Sequence, residues 1–184
     1  GETLFGKTRY HKKGVTILNG IETKMFAYSE IYREEIRKKL EITDNFVIGH
    51  VGHLAEVKNQ SFLINMMPEI LKKKKNAKLL LLGEGEDRQK LEKLIVDLDL
   101  SQNIIMTGNV MDVNKYLSAM DVFVFPSLYE GMPLSVIEVQ TNGLPCVMSD
   151  NVPQDVVLTD LITRLSLKET TDMWVGTICN SKRS

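Results

Sequence analysis

Cysteine is scarce: Cys146 and Cys179 are the two in 184 residues. They stand far apart and lack paired metal-ligand spacing, so neither a disulfide framework nor a cysteine-held metal organises the chain. With no secretory leader in view, they read as reduced thiols of a cytoplasmic protein. Histidine is almost as rare, with three residues. His50 and His53 lie three apart at a strand end with no third ligand nearby, which argues against zinc. Long hydrophobic runs are missing too, since "DVFVFPS" and "KLLLLG" fall short of the roughly 20 residues that span a bilayer. An excess of one charge is also missing. Lys plus Arg number 23 against 24 Asp plus Glu, a net charge of -1, so no global field favours nucleic acid. The basic run Lys72 to Lys75 closes an apolar helical pattern, where cations complement the helix C-terminus. There is no GxGxxG after the first strand, no Walker loop, no GxSxG elbow and no Ser-His-Asp order, which argues against a dinucleotide cofactor, a P-loop and a serine hydrolase.

What is present is an ordinary globular composition, 43% hydrophobic and 26% charged, in a length that suits one domain with a sizeable core. Short apolar runs alternate with segments of helical periodicity. The strands are "VIGHVG" (47–52), "AKLLLL", "NIIMT", "VFVF" and "PCVM", with a sixth over Ile162–Leu165. Helices are expected over 59–75, from Asp87 to about Leu98, over Val113–Met120, over Leu134–Asn142 and from about Lys168. Pro68 should kink the first of these or begin a fresh turn. Upstream lie a strand "VTIL", a turn "NG" and a charged helix "EIYREEIRKKL". The first dozen residues, glycine-bearing and basic, read as a connector. Strands apolar throughout suit a parallel sheet covered on both faces. The fold class is α/β, a doubly wound, Rossmann-like sheet of about six strands.

In such a sheet ligands bind beyond the carboxyl ends of the strands, so the βα turns are where chemistry belongs. In "GHLAEVKNQ", Gly52 leaves the strand, Lys58 can reach an anion above the sheet edge, and Asn59 suits the N-cap of the next helix. In "YEGMPLSVIE", Gly131 allows backbone geometry closed to other residues and Pro133 suits the first helical position. The free amides near Met132, Leu134 and Ser135 then form an anion site fit for a diphosphate. Glu130 precedes that start and Glu138 lies about a turn and a half inside, so each can accept from sugar hydroxyls on one side of the phosphate. The plainer alternatives stand beside this: Lys58 and Glu138 as solvated side chains, Glu130 as a favourable charge at the helix dipole. Gly83, in "GEGEDRQKLE", can bring backbone close to a base or ribose, or simply turn the chain before an Asp-capped helix.

These residues resemble the retaining glycosyltransferases of family 4, of two-domain GT-B architecture. The likeness runs from "ILNGIETKMF" through "GHVGHLAEVKN" and "LLLLGEGEDRQKLE" to "PSLYEGMPLSVIE", "NGLPCVMSD" and "LSLKETTDMW". It is nearest to the EpsF-like group of bacterial transferases that build capsular and exopolysaccharide. The resemblance implies that residues 1–14 connect two domains and that 15–184 are the C-terminal, nucleotide-sugar-binding half. The N-terminal acceptor domain would be absent, and this piece inactive alone. It implies Glu130 as the catalytic acid that meets the donor sugar and Glu138 as the group on the ribose. Gly52, Gly83, Gly131, Met132, Leu134 and Ser135 would join Lys58 in binding the donor, expected to be UDP-linked, with no cofactor and no metal. His53 stands where arginine is usual, so phosphate binding should be weaker or pH-dependent. Glu22 stands where aspartate is usual. The acceptor would be a glycan or lipid-linked saccharide, met through the other domain by a cytoplasmic enzyme touching the inner face of the membrane. A nucleotide-sugar epimerase or hydrolase of the same fold is the rival enzyme, though suitable acid-base groups are not evident. A non-catalytic nucleotide-binding module is the third reading.

Overall fold

The computed structural model describes residues 20–183; the expected connector and the "VTIL" strand lie outside them. The chain enters through a short helix α1 (Thr23–Phe26) and the charged helix α2 (Glu30–Lys39), which begins where the Ser29 hydroxyl accepts from the Tyr32 amide. Then strands and helices alternate: β1 (Phe46–Val51), α3 (Gln60–Lys73), β2 (Ala77–Leu82), α4 (Arg88–Asp97), β3 (Ile104–Gly108), α5 (Val113–Ala119), β4 (Val122–Phe125), α6 (Leu134–Thr141), β5 (Cys146–Ser149), β6 (Ile162–Leu165) and α7 (Thr171–Asn180).

The six strands form one parallel sheet in the order β3-β2-β1-β4-β5-β6. From β1 the chain builds outward in one direction and then returns to build in the other, so the order reverses between β1 and β4, where a crevice opens. Alternate strand residues feed two cores. Ile48, Leu79, Leu81, Val122 and Val124 pack with Leu63, Ile64 and Met67 of α3 and with Trp174, Val175 and Ile178 of α7. Val47, Leu80, Leu82, Phe123 and Phe125 pack with Ile36 of α2, Leu117 of α5 and Val136 and Val139 of α6. Both faces are covered, which is why the strands read as unbroken apolar runs. Each fully buried aliphatic or aromatic side chain contributes about 1.5–3 kcal/mol. Trp174 anchors the last helix, lying edge-on to Phe62 at 5.2 Å while its indole N–H donates to the Ser166 carbonyl at 3.0 Å.

Two local expectations need correction and a third narrows to one of its alternatives. No fresh turn begins at Pro68: α3 runs unbroken through it. Leu63, Ile64, Met66, Met67 and Ile70 are buried along that helix, and their burial outweighs the roughly 3 kcal/mol that an internal proline costs. The last helix begins at Thr171 rather than near Lys168, because the Thr170 hydroxyl accepts from the Met173 amide and fixes the first turn there. Asn59 occupies the N-cap position of α3 in a left-handed conformation, φ 57°, without a side-chain cap bond. Its amide instead donates to the Pro126 carbonyl at 3.1 Å, tying the turn after β1 to the end of β4.

Candidate functional site

The turns after β1 and β4 meet at the switch point. Leu128 N–H donates to the Val57 carbonyl at 2.8 Å, a backbone bond that joins the two. Across the same junction Lys58 Nζ lies 2.7 Å from Glu130 Oε1, with side-chain exposures of 20% and 10%. The ammonium also sits over the Phe125 ring, 5.2 Å from its centre, which favours a cation there. Two residues singled out separately in the sequence are thus brought together as a nearly enclosed ion pair.

Beside this pair α6 begins. Pro133 sits at the N-cap position, one residue ahead of the first helical residue expected for it, and no side chain caps the helix. The amides of Leu134 and Ser135 therefore have no intrahelical carbonyl to donate to. They carry the positive end of the helix dipole. Gly131 needs correction. Its φ lies outside the left-handed range, and a Cβ there would meet nothing within 4 Å. Its backbone is open to other residues, and what glycine supplies is open space in front of the helix start. Met132 is half-buried and packs against the core on the α6 side of the sheet. Glu138 is half-buried, and among the described residues no hydrogen bond satisfies its carboxylate. Burial pushes its pKa above the ordinary glutamate value.

Gly83 is demanded by the fold. Its φ is +137°, and a Cβ would lie 2.0 Å from the Gly52 carbonyl oxygen, so the ends of β1 and β2 can approach only with glycine there. Gly52, His53 and Gly83, together with Asn109 and Val110 beyond β3, line a cleft of about 220 Å³ next to the switch point. Asp87 stands at the start of α4 without a side-chain cap bond. Glu22 likewise stands at the start of α1 without one.

His53 turns away from Lys58. Its Nε2 lies 2.7 Å from Glu86 Oε2 in the turn after β2, and both side chains are exposed. The Glu86 carboxyl is held below its usual range, first by its own backbone amide and then by His53. His50 is fully buried, with both ring nitrogens engaged, Nδ1 by the Val124 carbonyl and Nε2 by the Gln60 side chain. The two histidines do not converge on a common point. Sequence reasoning missed Glu86, Gln60, Asn109 and Val110. A glutamine opening the helix after "GHVGH" was the available signal for one of them.

Comparison with known proteins identifies the family. Residues 32–177 match the family described as glycosyl transferases group 1. The chain belongs to that family. It is 33% identical over 184 residues to a Bacillus subtilis (strain 168) protein named as the glycosyltransferase EpsF, covering 98% of this chain and 48% of that one. It is 32% identical over 139 residues to an Escherichia coli UDP-Gal:alpha-D-GlcNAc-diphosphoundecaprenol alpha-1,3-galactosyltransferase, covering 73% of this chain and 35% of that one. Among solved structures, Anabaena HepE in complex with UDP superposes with a TM-score of 0.80 at 19% identity, over 94% of this chain and 50% of the other. The C-terminal domain of the group 1 protein LpcC from Francisella tularensis superposes at 0.73 with 20% identity, over 86% of each chain. The chain spans about half the length of the curated relative that matches it end to end.

Proposed function

We propose that this chain is the donor-binding half of a retaining, family 4 glycosyltransferase that takes a sugar from a nucleoside diphosphate. The observation that carries the reading is the Lys58 and Glu130 pair at the switch point, beside the uncapped start of α6. The diphosphate rests on the amides of Leu134 and Ser135, with Lys58 as its cation. As the glycosidic bond to the leaving diphosphate breaks, negative charge grows on the phosphate oxygens. Donors already aimed at that place stabilise it without reorganising. Glu130 leaves the ammonium to accept hydrogen bonds from the donor sugar and orient it. Glu138, half-buried and without a partner among the described residues, accepts from the ribose hydroxyls, and the cleft lined by Gly52 and Gly83 receives the base.

UDP is the expected nucleotide, a choice supported by the complexes of HepE with UDP and with UDP-glucose. Names among the relatives, EpsF and a capsular polysaccharide glycosyltransferase of Staphylococcus aureus, support a role in exopolysaccharide or capsule assembly. The acceptor, a glycan or lipid-linked saccharide, is met by the other half of the enzyme at the cytoplasmic face of the membrane. No helix among the described residues is long and apolar enough to cross a bilayer.

The test is thermal unfolding with UDP. At a hundredfold excess over Kd, binding to the folded state adds about 2.7 kcal/mol, a rise of a few degrees. Glu138→Ala should abolish the rise while the protein stays folded. An unchanged rise in that variant, or none in the wild-type chain with any nucleoside diphosphate, sinks the reading.

A further inference from the structure

We propose that His50 and Gln60 form a buried relay that positions the turn carrying Lys58, an inference that rests on the donor-site reading above. His50 points from β1 into the core, parallel to Phe123 (centres 6.1 Å, 4°) and close to parallel with Phe125 (5.6 Å, 21°). Its Nδ1 is 2.9 Å from the Val124 carbonyl oxygen. A carbonyl only accepts, so the imidazole proton is on Nδ1 and Nε2 is a bare acceptor. Gln60 Nε2 faces that acceptor at 3.3 Å and the His53 carbonyl at 2.8 Å. One amide group thus gives both of its hydrogens, one to the strand and one to the turn. Moving the proton to Nε2 would set N–H against N–H and release the His53 carbonyl. Burial holds the ring neutral, with its pKa lowered to about 4, and the Lys58 charge pushes in the same direction.

The relay reaches Lys58 through contact. A Cβ placed on Gly52 would lie 3.3 Å from His50 Nε2 and 3.6 Å from Lys58 Cδ. The lysine stem and the imidazole edge therefore share the space that this glycine leaves open. Phe125, which stacks on His50, also carries the Lys58 ammonium over its face. The turn is pinned at His53 by Gln60, at Val57 by the Leu128 amide and at Asn59 by the Pro126 carbonyl. Pinned so, it delivers Lys58 Nζ to within 2.7 Å of Glu130. His50 is fully buried and acts only by placing the turn; it is a positioning residue.

The test is calorimetric titration of UDP into the chain and its variants, with ¹⁵N NMR of the histidine ring. In the wild-type chain His50 should carry its proton on Nδ1. Gln60→Leu, close in volume, removes both bonds of the relay and should weaken UDP about tenfold. His50→Gln restores an acceptor where Nε2 stood and should stay within about threefold of wild type, whereas His50→Asn keeps only the bond to Val124 and should fall with Gln60→Leu. A proton on Nε2, a folded Gln60→Leu of unchanged affinity, or equal affinities for His50→Gln and His50→Asn each overturn the relay. If Gln60→Leu does not fold, the two His50 variants and the ring spectrum decide. A wild-type chain that binds no nucleoside diphosphate overturns the donor-site reading and the positioning role together; binding lost in Glu138→Ala but intact in Gln60→Leu overturns the relay alone.

Discussion

Asp121 and Glu130 are carboxylates at opposite ends of β4. Asp121 is 18% exposed and has three partners: Arg33 at 2.5 Å, Arg37 at 2.7 Å and the Val47 amide at 2.7 Å. Glu130 is more enclosed, at 10% exposure, and among the described residues has one partner, Lys58. Around Asp121 the arginines are themselves tied to backbone, Arg37 donating also to the carbonyls of Ala119, Thr43 and Asn45 and Arg33 to those of Ser118 and Met120. Just after Glu130 comes the uncapped start of α6, and a turn further on is Glu138, whose carboxylate has no hydrogen bond among the described residues. A carboxylate whose acceptor sites are filled holds the sheet together; one kept dry with sites to spare retains capacity for something that arrives later. The amino end of the sheet is closed by these bonds, and the carboxyl end is where the proposed donor would sit.

Breaking the saturated end should have the largest effect. Asp121→Ala leaves the Arg37 guanidinium buried without its counter-ion and should lower the unfolding free energy in urea by about 3–5 kcal/mol. Breaking the other end should act on binding instead. Glu130→Gln keeps an amide oxygen for Lys58 to donate to and should move unfolding by about 1 kcal/mol, yet a nucleoside diphosphate sugar should lose affinity while UDP does not. Titration with both ligands separates the two.

Lys58→Ala sharpens the contrast from the cation's side. UDP affinity should drop about tenfold to a hundredfold, the range of a charge-assisted hydrogen bond, and the salt dependence of binding should weaken with it. Glu138 gives a smaller effect, opposite in sign to that of an ordinary paired acid. Its pKa is raised in the folded state, so the native chain binds a proton more tightly than the unfolded one. Stability therefore falls as pH rises from the unfolded glutamate range through the higher folded value. Glu138→Gln should remove that slope and be the more stable form at neutral pH, as urea midpoints across the acid range would show. Least of all, Glu86→Gln should leave the melting temperature unchanged, because its pair with His53 is exposed on both sides.

Much of this was legible in the residue order. Each βα unit falls within a residue or two of its expected place, apart from the start of α7, because a strand covered on both faces must be apolar throughout. The helix start at Leu134 was legible from Pro133 and the glycine before it. Less legible were the choices that depend on partners. Asn59 has the chemistry of a cap but is taken by Pro126; Gly131 reads as a conformational need yet supplies only room; His53 reads as a phosphate ligand yet faces Glu86.

The sequence by itself determined the doubly wound sheet and the stretch where bare amides gather, because periodicity, proline and glycine act within a few residues of themselves. Only the tertiary structure decided which charges meet. Lys58 finds Glu130 across 72 residues and His53 finds Glu86 across 33, and those pairings follow from the reversal of strand order between β1 and β4 and from the close approach of β1 to β2 at Gly83.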